Sequence, residues 1–132
     1  MKDRKAILFG VLNLLQGAAI GAIPLVVPSR DTAVNWALGA VAAAMIVAGP
    51  ALVFAGRYGR IAAAAACLLT LLAGVVAAAL IASSAAYLYG IYGAYGRDLG
   101  RIAFVVALFA LIVFSLVPAH ELSWLRGKGK GA

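Results

Sequence analysis

IAAAAACLLTLLAGVVAAALIASSAAYLYGIYGAYG, residues 61–96, lies between Arg60 and Arg97 and contains no charged side chain. A helix needs roughly 20 apolar residues to cross a hydrocarbon core of about 30 Å. This run has about 36, and as one helix it would measure on the order of 54 Å at 1.5 Å per residue. It can span with length left over, which predicts an integral membrane protein.

The flanking sequence agrees. Of 132 residues, 66% are hydrophobic, and the mean hydropathy is +1.08. A soluble domain of this size lacks the polar face needed to cover so much apolar surface. The predicted fold is all-α: one domain, a bundle of four transmembrane helices. The spans read at about 6–27, 33–54, 61–84 and 99–117, with an interfacial Tyr/Gly segment at 87–96 and a basic tail at 125–132.

Each span carries its own features. The first follows a basic flank, and its apolar run is longer than the roughly 7–15 residues of a signal-peptide core. It holds Asn13 and Gln16, about one turn apart, with Gly17 and Gly21 in small-xxx-small spacing, which lets helix backbones approach closely in lipid. Pro24 frees the carbonyl of Ile20 and predicts a kink. Asp31 or Thr32 is placed to cap the second span. That span carries Trp36 as an interfacial anchor, and Pro50 frees the carbonyl of Ile46.

The third span repeats small residues at Ala66, Thr70, Gly74 and Ala78. The glycine-rich triplets after it carry Tyr89, Tyr92 and Tyr95. Tyrosine favours one wet end and one apolar end, so these residues read as interfacial or as a helix that frays on leaving the bilayer. Gly100, Ala103 and Ala107 form a small stripe on the fourth span, which is read to end at Pro118. His120, Glu121 and Trp124 then fall at the interface.

Orientation follows from charge. With four spans, Lys2, Arg4, Lys5, Arg57, Arg60, Arg126, Lys128 and Lys130 share one side, against Arg30, Arg97 and Arg101 on the other. The positive-inside rule places both termini in the cytoplasm. The composition reads as bacterial, and the location as the cytoplasmic (inner) membrane. Asn13 and Gln16 then lie roughly 10–15 Å from the inner surface, at a depth similar to Cys67 and Thr70. These four form the candidate intramembrane polar site.

Several function classes fall away. The net charge of +7 comes from flanks and loops, where it orients the chain and meets anionic lipid, so no nucleic acid is expected. Cys67 is the single cysteine, so there is no internal disulfide and no CxxC pair. One His, one Cys and four acids near span ends predict no metal, no cofactor and no enzyme. No ionisable group is read in the middle of a span, which argues against a drug/proton antiporter.

The leading expectation is a non-enzymatic structural or accessory subunit acting through its helix surfaces. Its company would be membrane lipids and either a protein partner or further copies of itself. The alternative is a small oligomeric transporter or channel for a neutral or lipid-like solute, lined by the polar patch. The topology has a direct test. In a Cys67→Ala background, Asp98→Cys should react with a membrane-impermeant maleimide on intact cells, and Arg126→Cys only after lysis. The reverse pattern would invert the orientation.

Overall fold

The computed structural model describes residues 3–26 and 31–130, apart from the side chains of 85, 88, 89, 92, 94–96, 129 and 130. The turn at 28–30 and the side chains of Tyr89, Tyr92 and Tyr95 therefore lie outside the described residues. The chain is all-helical: α1 (Arg4–Val26), α2 (Thr32–Phe54) and α3 (Gly56–Lys130). α3 is two helices joined at Gly93, whose φ of 58° and ψ of −133° match the first central residue of a type II′ turn. A side chain would be strained in that conformation. The bundle therefore has four helices long and apolar enough to cross a membrane: α1, α2 and the two arms of α3, Gly56–Ser84 and Arg97–Lys128.

The helix starts have local causes. Asp3 caps α1, its Oδ1 accepting from the Lys5 N–H at 3.1 Å. Asp31 does the same for α2, accepting from Ala33 N–H at 2.9 Å. The segment at 87–96 is helical on both sides of Gly93, where the sequence allowed fraying. The stretch between the second and third predicted spans already belongs to α3 from Gly56 onward.

Packing runs around a ring. α1 and α2 are antiparallel and cross at very short range. A Cβ on Gly49 would stand 2.7 Å from the Gly10 carbonyl oxygen, and one on Gly17 would stand 3.0 Å from the Ala42 oxygen. The first arm of α3 follows α2 so tightly that Gly59 abuts the Ala51 carbonyl. The two arms lie side by side: Gly74 faces Ser115, and Cys67 faces Glu121. Both pairs are centred within about a residue of position 94, beside the Gly93 turn. The second arm closes the ring on α1 through side chains instead of close backbone contact.

Phe9, Met45, Ala48, Leu52, Ala63 and Ala66 form the core at the end holding the termini, with Trp124 and Leu125 packed against them. Ile20, Val41 and Ala42 form a smaller core beyond it. Large apolar side chains such as Leu15, Leu25, Val75 and Phe109 point outward, as does Trp36. At the terminal end Lys128 pairs with Asp3 and sits 5.5 Å from the Trp124 ring centre. The hydrogen bond from Lys128 holds the Asp3 carboxyl below its ordinary value of 3.8. This tie is intact at neutral pH and is lost as pH falls through the depressed value.

The α1–α2 crossing sets a prediction. Gly49→Val must push the two backbones apart and should cost about 1–3 kcal/mol. Gly39→Val, where a new side chain meets nothing within 4 Å, should be neutral or slightly stabilising, because Gly is the poorer helix former. Equilibrium unfolding in mixed micelles compares the two, and equal losses would contradict the crossing.

Candidate functional site

The fourth helix does not end at Pro118. It continues through that residue to Lys130, and Pro118 itself is fully buried. Proline has no N–H, so the carbonyl four residues earlier, that of Phe114, loses its helical partner. Gln16 supplies the replacement: its Nε2 donates to the Phe114 carbonyl oxygen across the bundle. A break that would favour ending the helix thus becomes an attachment point for α1.

Continuing the helix moves Glu121 from the expected interface to the interior. It is 0% exposed. Asn13, also 0% exposed, donates from Nδ2 to Glu121 Oε1 at 3.0 Å, joining positions 108 residues apart. The Cys67 thiol of the first arm faces the same carboxyl group. The second carboxyl oxygen, Oε2, has no hydrogen-bond partner among the described residues, and neither do Asn13 Oδ1 and Gln16 Oε1. No described Lys, Arg or His interacts with the carboxyl. Leaving such groups unpaired in an apolar interior is costly, and more so for an ionised carboxylate.

The other sequence-derived positions fall as follows. Asn13, Gln16, Cys67 and Thr70 are all buried. Asn13 and Cys67 meet at Glu121, and Gln16 lies one turn away. Thr70 stays apart: its Oγ1 donates to the Ala66 carbonyl of its own helix at 2.8 Å. Among the packing positions, Gly17 and Gly21 lie against α2 and Gly74 against Ser115. Gly100 is buried, Ala107 half-buried and Ala103 exposed. Trp124 is half-buried, its ring 5.3 Å from that of Phe9.

Two of the spaces in the bundle lie on either side of the cluster along α1. A cavity of about 230 Å³ lies among all four helices, lined by Ile20, Val41, Thr70, Gly74, Phe114 and Ser115. At the terminal end a groove of about 440 Å³ runs between α1 and the second arm, past Lys5, Phe9, Leu12, His120, Ser123 and Trp124. Along α1, Asn13 lies between the two.

Glu121 is the residue that sequence reasoning missed, yet a signal was present. Phe114, Pro118, Glu121 and Leu125 recur at helical spacing. Carrying the fourth span's period past the proline would have put the acid on the inner face.

The proline–glutamine pairing predicts a thermodynamic coupling. Gln16→Leu should cost about 1 kcal/mol in the natural chain. In a Pro118→Ala background, where the Phe114 carbonyl regains a helical donor, it should cost much less. A double-mutant cycle measures this, and additive losses would rule out the pairing. Compared with known protein families, curated proteins and solved structures, the chain matches none.

Proposed function

We propose that the chain sits in a bilayer as a four-span bundle, both termini on the cytoplasmic side, and moves a small solute past the Asn13–Glu121 site. The observation that carries this reading is the fully buried Glu121 carboxyl, held by one amide and facing no described basic residue. An ionisable group is expensive inside a bundle in lipid, and where one occurs it faces a pathway or a bound species. A purely structural bundle gains nothing from it that an apolar side chain would not supply more cheaply.

The surroundings support the same reading. The site lies between a cavity shared by all four helices and a groove at the terminal end. α1 meets the second arm through side chains, so that seam can open without breaking close backbone packing. The accessory role, which ranks first on sequence alone, rests on outward-facing apolar side chains. Lipid accounts for those equally well, so it ranks second here.

Osmotic reswelling of proteoliposomes tests the proposal across neutral and ionic solutes together. The panel is urea, glycerol, ammonium chloride, sodium chloride and potassium chloride, followed by light scattering. For at least one solute, the natural protein should speed reswelling over empty vesicles, and Glu121→Gln should slow it by about tenfold or more. Rates equal to empty vesicles for the whole panel would overturn the transport reading.

A further inference from the structure

We infer that the Asn13–Gln16–Glu121 cluster binds a single positive charge, either a small monovalent cation or a proton, that exchanges with the aqueous phase. The inference rests on the Glu121 site of the transport reading and adds the charge of its ligand.

Both amide nitrogens already donate, Asn13 Nδ2 to Glu121 Oε1 and Gln16 Nε2 to the Phe114 carbonyl. Those two bonds also fix which way each amide points. Each nitrogen keeps a second N–H, but the cluster's atoms with no hydrogen-bond partner at all are oxygens: Asn13 Oδ1, Gln16 Oε1 and Glu121 Oε2. All three side chains are more than nine-tenths buried. Hard oxygen acceptors suit a proton or an alkali-type cation, and they repel an anion. A neutral acceptor-rich solute would find only the second N–H of each amide and the Cys67 thiol, and would leave the carboxylate charge unbalanced.

The charge count limits the ligand further. One carboxylate balances one positive charge. Its polar neighbours among the described residues are Asn13 from α1 and the Cys67 thiol from the first arm, and neither supplies a cation. No group of three or more acidic, His or Cys ligands exists among the described residues, which argues against a divalent ion. His120 follows a different face of the helix, its ring 6.0 Å from that of Phe9.

The test uses the full chain purified in detergent. Thermal unfolding is followed in sodium, potassium, ammonium and choline chloride at equal ionic strength, from pH 5 to 9. Ligand that binds only the folded state raises the midpoint. If a cation occupies the site, at least one of the first three salts should raise the natural protein's midpoint by about 3–5 °C over choline, and Glu121→Gln should lose that rise. If the occupant is a proton, the salts should not differ, while the natural protein's midpoint varies with pH and that of Glu121→Gln does not. Either pattern supports the inference and names the source.

Matching salt and pH profiles for the two proteins would overturn it. Should Glu121→Gln fail to fold, the natural protein still decides the question. An apolar carbodiimide should modify Glu121, with a bound cation slowing the reaction and a proton-only site showing no salt protection. No modification under any condition, together with no salt or pH response, would overturn it. Glu121-dependent reswelling by urea or glycerol alone would overturn the charge assignment and leave the transport reading standing. A Glu121-dependent midpoint shift without any reswelling would do the opposite.

Discussion

The hydrogen bond from Asn13 to Glu121 crosses 108 positions of sequence and closes the bundle, tying the first helix to the last inside an apolar interior. Each polar atom there has to find a partner within the protein or hold one from outside. Both amide nitrogens have a partner, and three oxygens of the cluster have none. That imbalance separates the cluster from ordinary helix glue and is the ground for the proposed charge preference.

Pro118 makes the arrangement possible. A proline deep in a helix exposes one carbonyl, and in an apolar surrounding that carbonyl needs a donor. Gln16 reaches it from α1. One turn farther along, Asn13 reaches Glu121. The two amides of α1 thus address two consequences of the same segment: a carbonyl freed by the proline, and a carboxyl that the continuing helix carries inward. Neither amide has an equivalent partner on its own helix.

The seams around the ring differ in kind. α1 and α2 touch backbone to backbone at Gly10–Gly49 and near Gly17, and α2 turns into α3 with Gly59 against Ala51. Such contacts tolerate little movement, because no flexible side chain separates the helices. The α1 seam with the second arm is built from amides, a carboxyl and the Phe9, His120 and Trp124 rings, with a groove along it. The part of the bundle that carries the polar chemistry is therefore also the part least constrained by close packing.

By itself the sequence determined the class and the elements: four helices apolar enough to cross a membrane, a cap at Asp31 or Thr32, amides at Asn13 and Gln16 within the first span, and a thiol at Cys67 within the third. These follow from hydropathy, turn chemistry and helical period, which are local properties. The tertiary structure alone decided the ring order, the separation of Thr70 from the other polar groups, and above all the place of Glu121. From sequence, Pro118 reads as a stop because proline removes a local bond. Only a residue about a hundred positions away, Gln16, restores that bond and lets the helix run on. A local pattern cannot contain a donor that comes from another helix, and so the acid at the centre of the site stayed out of view until the chain was folded.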